Sequence, residues 1–523
     1  MDHAQKVAVG RRAAGLGGVA LAAFAVGQFL VGLDTSVMSV ALPSIQREFG
    51  VGMAQLQWAV MAYMVAGAAL AVPFGALGDR VGRRRLYLIG ASCFAAGSAI
   101  SAASPAIEVL IAGRALQGVG AAAMGTLALA MLTSAVPHDG IPKLIGLWTA
   151  VTSGAAAFGP LIGGFLVSAL GWRSVFGINV VLILLVIPLV IKVVPKDAKS
   201  TGGGAGVDWL GSALLTVALI LIAGGLSMLE NATFTEPIVW APVLAGLLVI
   251  VALAIQQRRS AAPLTDWSAI KVPPIPATLV LLVLLSMVLA GALLQQTMLV
   301  QNVLGFTPML AGLVSFGASA LVVIFSPISP LIMRKIGLGP VTGLGLLLTS
   351  VGLFGLSRIN DSTTAVTIGA WLGLMGAGIG LGIPAVSAGA MSSIPRASMG
   401  AVSGFLNLIS QISAVLGIAV VGGLSASRTE AAWSASSRDI PNAESLVGQV
   451  VSGAIPELRQ QLGDRVAKVA GEAYTDGVTE ALLIAAIGVL IAAVIAVPLL
   501  GRRGRVSTSD TRSEAAPNPD VVG

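Results

Sequence analysis

Fourteen long apolar runs limit this chain to one kind of fold. Each is about as long as the roughly 20 residues that an α-helix needs to cross the hydrocarbon core of a bilayer. The runs lack the alternating pattern of barrel strands, and only helices or closed barrels satisfy their backbone in lipid. We therefore predict an all-α polytopic membrane protein without a sizeable soluble domain. The runs lie near residues 16–40, 54–77, 86–104, 107–132, 143–169, 172–194, 208–229, 237–256, 276–300, 309–333, 338–357, 364–392, 399–424 and 479–500.

The positive charges follow the order of the runs. The chain has a net charge of +7, and its arginines and lysines gather at the N-terminus and after even-numbered runs. The short loops on the other side hold only Arg47, Arg173 and Arg358. This asymmetry orients membrane proteins, so it predicts that both termini are cytoplasmic. The Ala-rich and Gly-rich composition is typical of a bacterial source, so we predict a protein of the bacterial cytoplasmic membrane. Because the positive charges lie in short loops beside apolar runs, a nucleic-acid partner is not expected.

One long segment breaks the regular spacing. Residues 425–478 carry mixed charges and are predicted to form an external loop, because long loops translocate regardless of charge. Periodic apolar positions between Leu446 and Val469 predict an amphipathic helical hairpin within it. The tail at 506–523 is rich in Ser, Asp, Asn and Pro and is predicted to be disordered.

Two charged residues lie inside apolar runs of the N-terminal half. Asp34 has no charged neighbour in sequence between Arg12 and Arg47, and Arg114 is the basic residue placed well inside a run. A carboxylate at membrane depth costs roughly 2.5 to 3.5 kcal/mol and by default indicates a functional site, while a buried guanidinium requires a partner. We predict that the two communicate, directly or through water and Gln117. Such a pair is either a proton switch or a permanent structural salt bridge.

The segment GALGDRVGRRR, Gly75 to Arg85, joins the second and third runs. Its glycines allow a tight turn, and Asp79 can cap the next helix or pair with an arginine. The arginines would anchor the segment at the anionic inner leaflet. The segment is therefore either a basic signal that orients the helices or a cytoplasmic gate formed by Gly75, Asp79, Arg80, Gly82, Arg83 and Arg84.

The fifth run contains GAAAFGPLIGG, Gly154 to Gly164. Small residues let helices approach closely in lipid, and a proline interrupts the helical hydrogen bonds. This pattern predicts a hinge or sliding surface formed by Gly159, Pro160, Gly163 and Gly164.

The sequence lacks the motifs of an enzyme or an ATP-driven pump. It has no GxxxxGK[ST] phosphate loop and no HExxH motif, and it contains two histidines and one cysteine, Cys93. Zinc chemistry, disulfides and ATP hydrolysis are therefore not expected. We expect no cofactor, and an ion gradient would have to drive any transport.

These motifs resemble the major facilitator superfamily and, within it, the fourteen-helix drug/proton antiporters. LDTSVMSVALP, Leu33 to Pro43, is similar to the helix 1 signature of that branch, and the gate residues match the motif of loop 2–3. The hinge residues match the antiporter motif of helix 5, and WRSVFGIN, Trp172 to Asn179, resembles the segment that opens helix 6. The helix 4 motif associated with proton coupling is matched by Arg114, Gln117, Gly118 and Gly120.

The resemblance implies a major-facilitator fold with two six-helix bundles, 1–200 and 273–505, facing each other across a central cavity. Two further helices in 201–272 would be inserted between them. Proton coupling would involve Asp34 and Arg114. The implied substrate cavity would be lined by residues that, taken singly, are equally typical of packing: Trp58, Tyr63, Trp148, Met287, Gln295, Phe316, Trp371 and Asn407.

The resulting prediction is a proton-coupled antiporter, functional as a monomer in the lipid bilayer, that exports lipophilic drugs or antiseptics. Family members that export divalent cations tend to carry a further acidic residue in the C-terminal bundle, and the five runs between 276 and 424 contain none. Monovalent cationic or neutral cargo is therefore favoured. The alternatives are a dedicated exporter of one endogenous metabolite or lipid-like molecule, and a receptor or scaffold that acts through residues 425–478.

Overall fold

The computed structural model describes residues 3–135, 141–195, 207–228, 236–260, 275–392 and 399–501. Within them, helices account for almost every residue. The first eight are α1 His3–Phe49, α2 Met53–Val81, α3 Arg83–Ala102, α4 Ile107–Ala135, α5 Ile141–Leu170, α6 Arg173–Val193, α7 Trp209–Ser227 and α8 Pro237–Arg259. The others are α9 Ile275–Asn302, α10 Pro308–Phe325, α11 Ser329–Ile336, α12 Leu338–Leu356, α13 Ala365–Ser392, α14 Met399–Ser436, α15 Val447–Val451, α16 Ile455–Leu462 and α17 Asp464–Leu500.

The all-α prediction is confirmed. Thirteen helices in the described residues are long and apolar enough to cross a membrane, and the described apolar part of α5 covers Ala157–Leu170. Some helices extend beyond their apolar runs. The first continues through Pro43 to Phe49, because neighbouring helices can accommodate a proline within a membrane-spanning helix. The predicted disordered tail at 506–523 lies outside the described residues.

The segment 425–478 differs from the predicted long loop. Helix α14 continues to Ser436, and α17 begins at Asp464. Between them, residues 437–463 form a compact segment with a short 3-10 helix at Ala443–Leu446 followed by α15 and α16. We call residues 437–463 the cap. Polar residues extend both helices beyond their apolar stretches, so the residues predicted to form a long external loop are largely helical.

The long helices pack as two groups of six. Helices α1 to α6 form the N-terminal group, and α9, α10, α12, α13, α14 and α17 form the C-terminal group. The groups meet where α5 packs on α10 and where α2 packs on α14. Helix α7 contacts both α2 and α14, and α8 packs on α7. The inserted pair therefore covers one of the two seams between the groups.

The loops divide the bundle into two ends. We call the basic end the one that holds the junctions after even-numbered membrane helices, with Arg80, Arg83, Arg258 and Arg334. The far end holds the opposite junctions and the cap. The side-chain hydrogen bonds that join α1 to α9 and to the cap involve Val40 and Gln46, on the far-end half of α1.

Small residues on α5 allow its close packing between the groups. A Cβ at Gly159 would overlap Ser36, and a Cβ at Gly163 would overlap Val37, so α5 lies directly against α1. Helix α5 continues through Pro160 without ending. The predicted sliding surface is therefore a pair of close helix contacts, as expected where small residues line an interface in lipid.

The other face of α5 meets α10 just as closely. A Cβ at Gly312 would overlap the carbonyl oxygen of Pro160, and a Cβ at Gly164 would overlap the backbone of Pro308. Farther from the far end, the rings of Phe158 and Phe316 lie 5.6 Å apart, centroid to centroid. These contacts hold the two groups together from the far end to mid-helix.

We expect Gly312→Ala to disfavour this arrangement of the two groups, because the added methyl cannot fit beside a backbone oxygen. Transport should fall by about tenfold, a cost of about 1.4 kcal/mol. The matched control is Gly154→Ala on α5, where a Cβ would meet no atom within 4 Å. Initial efflux rates in vesicles with equal protein content measure both. Equal losses in the two variants would contradict a specific role for the α5–α10 contact.

Candidate functional site

A buried carboxylate lies at the centre of the N-terminal group. Asp34 is 2% exposed and is the buried acidic residue among those that the structure describes. It lies near the middle of the apolar part of α1, Leu21–Phe49. Its Oδ2 accepts a hydrogen bond from Arg114, and its Oδ1 accepts from Gln117 at 3.2 Å and from Asn179 at 2.7 Å. Since all three partners are donors, the site is built around a charged carboxylate.

Arg114 joins this carboxylate to α2 and α4. Its guanidinium is 1% exposed and forms an ion pair with Asp34. Its Nε donates to the carbonyl oxygen of Ala59 at 3.1 Å, and its Nη1 donates to Gln117 Oε1 at 3.0 Å. The guanidinium also lies 4.4 Å from the centroid of the Tyr63 ring, within cation–π range. Of the two arrangements considered from the sequence, the structure has the direct contact, with Gln117 bonded to both charged groups.

Further contacts fix these side chains in place. Gln117 Nε2 donates to the hydroxyl of Ser98 on α3 at 2.8 Å, and the Tyr63 hydroxyl donates to the carbonyl of Val31 at 3.1 Å. Gly118 has no side chain to contribute, but a Cβ there would overlap the carbonyl oxygen of Tyr63. The glycine therefore lets α4 approach α2 closely enough for Arg114 to reach the Ala59 carbonyl.

Helix α6 contributes Asn179, which the sequence did not predict as a site residue. Asn179 is fully buried, and its amide donates to Asp34. One turn earlier, the Phe176 ring lies 5.9 Å from the Arg114 guanidinium. At the far end, the Trp172 indole donates to Glu48 Oε2 at 2.7 Å. The spacing 172, 176 and 179 places these side chains on one face of a helix, and this is the signal that would have identified Asn179.

We expect Asn179→Leu to lower gradient-driven transport by about 10-fold to 100-fold, because a hydrogen bond to a charged group contributes about 1.5 to 3 kcal/mol. Ile183→Leu, four residues later on the same buried face, is the matched control. Initial rates at several external pH values measure the effect. A variant with the wild-type rate and pH profile would show that Asn179 only fills space.

The predicted gate residues lie around the junction of α2 and α3. Gly75 and Arg80 lie within α2, and the helices meet at Gly82, whose φ of 108° favours glycine. Asp79 does not cap α3, since the N-cap position is Gly82. Its carboxylate instead pairs with Arg83 Nε at 2.8 Å across the junction. Both side chains are substantially exposed, so this ion pair alone contributes at most about 1 kcal/mol.

Two arginines extend these contacts to other helices of the N-terminal group. Arg83 Nη1 donates to the carbonyl of Ala130 on α4 at 3.3 Å. Arg84 Nη2 donates to the carbonyl of Ile191 on α6 at 2.6 Å. Cationic side chains near the C-terminal carbonyls of helices are favoured by the helix dipole. The contacts described for Asp79, Arg83 and Arg84 thus connect α2 and α3 with the basic ends of α4 and α6.

The residues of the implied cavity wall lie on several different helices. The Trp58 ring lies beside Gly224 of the inserted helix α7, and Trp371 packs on Gly355 of α12. Both rings therefore contact a neighbouring helix, a role that aromatic residues fill as readily as that of a cavity wall. Tyr63 belongs to the buried charge network.

The remaining residues predicted to line the cavity lie on α5, α9, α10 and α14. Phe316 contacts Phe158 between the two groups. Gln295 is 2% exposed, and its Oε1 has no hydrogen-bond partner in the structure. Trp148 is half-buried on α5, and Met287 is half-buried on α9. The side chain of Asn407 lies outside the described residues.

Comparison with known proteins agrees with this architecture. The family model described as Major Facilitator Superfamily matches residues 24–418. The chain belongs to the major facilitator superfamily. It is therefore a membrane transporter of small molecules, and this major-facilitator protein is not expected to be an enzyme.

Curated relatives of this major-facilitator protein are resistance and export proteins. The chain is 31% identical over 488 residues to the "Multidrug resistance protein Stp" of Mycobacterium tuberculosis, covering 89% of this chain and 88% of that protein. It is 31% identical to the "Tetracenomycin C resistance and export protein" of Streptomyces glaucescens, covering 78% and 76%. It is 27% identical to the "Methyl viologen resistance protein SmvA" of Salmonella typhimurium, covering 87% and 90%.

Solved structures share the fold. A bacterial homologue of the human lysosomal transporter Spinster, in an inward-facing and unoccupied conformation, matches with a TM-score of 0.65 and 15% identity. The match covers 93% of this chain and 98% of that one. A peptide transporter in complex with sulfate matches with a TM-score of 0.59 and 14% identity, covering 92% and 95%. At such identities, the likeness shows the fold alone.

Proposed function

We propose that this transporter is a proton-coupled antiporter of the bacterial cytoplasmic membrane that exports lipophilic drugs or antiseptics. The observation that carries the proposal is the buried Asp34 carboxylate with its donors Arg114, Gln117 and Asn179. A buried charge is costly and by default has a function when it lies at membrane depth. The names of the relatives support the drug-export part of the proposal.

The coupling step follows from the contacts of Asp34. When the carboxylate takes up a proton, it loses the charge that Arg114 pairs with. The guanidinium is then buried without its ion pair, which is unfavourable unless the helices rearrange. Since the bonded groups lie on α1, α4 and α6, protonation changes the packing of three helices at once. The charge state of Asp34 thus favours one arrangement of the two groups over the other.

The basic end is cytoplasmic in this scheme, and the far end faces outward. The Asp79–Arg83 pair and the Arg84 bond hold the basic ends of α2, α3, α4 and α6 together, and this unit would meet the C-terminal group when the basic end closes. Gly159, Pro160, Gly163 and Gly164 would provide the surface on which the groups move. Substrate would bind between the groups, near Phe316, Gln295 and Trp148, and no cofactor is required.

The preferred cargo is a lipophilic monovalent cation or a neutral compound. In the described part of the C-terminal group, α9, α10, α12 and α13 carry no acidic side chain that could pair with a second positive charge. One relative is named for resistance to methyl viologen. Methyl viologen is a dication, so its transport is the informative comparison. We expect transport of ethidium to exceed that of methyl viologen.

Transport of ethidium by everted vesicles with an imposed proton gradient tests the proposed function. We expect transport that stops when a protonophore collapses the gradient and that is absent from vesicles without the protein. Gradient-dependent proton movement without ethidium flux would instead support a dedicated metabolite exporter. Ethidium flux that stays the same after the proton gradient is collapsed would refute proton coupling.

A further inference from the structure

The far-end half of α9 carries an unusual number of buried amides. Its sequence from Gln295 to Asn302 is QQTMLVQN, and the side chains of Gln295, Gln296, Gln301 and Asn302 are each at most 5% exposed. Buried amides are costly unless they are hydrogen-bonded. The partners of these amides therefore show what this stretch of the helix is for.

Two of these amides cross from the C-terminal group to α1. Gln301 Nε2 donates to the carbonyl oxygen of Val40 at 3.1 Å. Asn302 Nδ2 donates to Gln46 Oε1 at 2.9 Å. Gln46, which is 2% exposed, then donates through Nε2 to the carbonyl oxygen of Ser452 in the cap at 2.5 Å. A single glutamine of the N-terminal group is thus bonded to both α9 and the cap.

The cap belongs mechanically to the C-terminal group. Its ends are continuous with α14 and α17. The indole of Trp433, a fully buried residue of α14, donates to the carbonyl of Ala443 in the cap at 2.9 Å. Gly453 lies against the buried ring of Tyr474 on α17. When the two groups move relative to each other, the cap therefore moves with α9, and Gln46 moves with α1.

The crossing contacts are incompletely satisfied. Gln301 Oε1, Asn302 Oδ1 and Gln449 Oε1 of the cap are buried and have no hydrogen-bond partner in the structure. A half-satisfied polar network is less favourable than an apolar seam. The two groups are thus held at the far end by bonds that can be broken at modest cost, as a contact that opens and closes in each cycle requires.

We propose that Gln46 is the gating residue that closes the outer exit of the cavity, by joining Asn302 of α9 and Ser452 of the cap. This inference rests on the proposed function in that it assigns the far end to the exit side. Opening the exit separates α1 from α9, so the bonds of Gln46 and the Gln301–Val40 bond break together. Removing the Gln46 amide shifts the population toward the outward-open arrangement.

Thiol labelling tests this assignment without measuring transport. Gln295 lies seven residues before Asn302, on the same face of α9 and about two turns deeper. In a Cys93→Ala background, a Gln295→Cys reporter should react slowly with a membrane-impermeant maleimide added outside intact cells. Adding Gln46→Leu should accelerate the reaction by about tenfold, equivalent to about 1.4 kcal/mol. The matched control is Gln460→Leu, an exposed glutamine of the cap.

The outcomes separate the gate from the proposed function. Unchanged labelling with Gln46→Leu, or equal acceleration with Gln460→Leu, would overturn the role of Gln46 even if drug transport is intact. Acceleration seen only in everted vesicles would place the Gln46 gate on the cytoplasmic side and would also overturn its proposed role. Acceleration from outside in a protein that does not transport ethidium would support the gate and remove only the proposed cargo.

Cross-linking provides the second test. Oxidation of the Gln46→Cys/Asn302→Cys pair should block efflux, and a reducing agent should restore it. The control pair is Arg428→Cys/Glu480→Cys, whose native side chains form an ion pair at 3.1 Å within the C-terminal group at the same end. Oxidation of the control should leave efflux unchanged. Efflux that continues with the Gln46–Asn302 pair fully cross-linked would refute the gate.

Discussion

Replacing Asp34 with asparagine is expected to reduce gradient-driven efflux at least about a hundredfold, a loss of about 2.7 kcal/mol. The amide cannot gain or lose a proton, so the charge that alternately holds and releases Arg114 is gone. Asparagine keeps the shape of the side chain, so substrate should still bind. Initial ethidium efflux rates in vesicles and ethidium binding by fluorescence anisotropy measure the two effects separately.

Glu108→Gln is the matched control for this substitution. Glu108 is an exposed carboxylate in the first turn of α4, within the same helix group. It loses the same charge without touching the buried network, so efflux should stay near the wild-type rate. Wild-type efflux in Asp34→Asn would contradict the coupling scheme, and loss of both efflux and binding would indicate misfolding instead.

Arg114→Met is expected to cause the largest loss of stability. It leaves Asp34 charged and buried without its ion-pair partner, and breaking a buried pair from one side costs about 3 to 5 kcal/mol. The double variant Asp34→Asn/Arg114→Met removes both charges and should recover most of that loss. The temperature at which half of the detergent-solubilised protein remains monodisperse on size exclusion measures each variant.

The double variant also separates stability from coupling. It should be folded and yet fail to transport against a gradient, because neither charge remains. If it is as unstable as Arg114→Met alone, the guanidinium stabilises the protein through Ala59 and Tyr63 rather than through Asp34. If it transports like the wild type, the pair is a structural salt bridge.

The helices and the charged pair could be predicted from the sequence because the alternatives, a non-helical backbone in lipid and an unpaired buried charge, are strongly unfavourable. A run of apolar residues has few alternatives to a membrane-spanning helix, and a charge within such a run needs a partner. Asp34 and Arg114 were therefore found without the structure. Asn179 was noted only within a motif, because a neutral amide in an apolar helix carries a weaker signal than a charge.

Other features depended on tertiary packing that the sequence does not specify. Trp58 and Trp371 were assigned to the cavity wall, but an aromatic residue fits a helix–helix contact equally well. Helices α14 and α17 extend as polar helices into the segment 425–478, and such extensions leave no signal in the hydropathy of the sequence. The hydrogen bonds of Gln46 join residues more than 250 positions apart, so the local sequence gives no indication of them.

Substrate-induced proton release tests the central claim most directly. Purified transporter in weakly buffered detergent solution is mixed with tetraphenylphosphonium, a lipophilic monovalent cation, while a pH indicator records protons. The wild type should release protons on binding, and Asp34→Asn should bind the cation without releasing any. Equal proton release from the wild type and Asp34→Asn would contradict the account, because the coupled proton would then reside on another group.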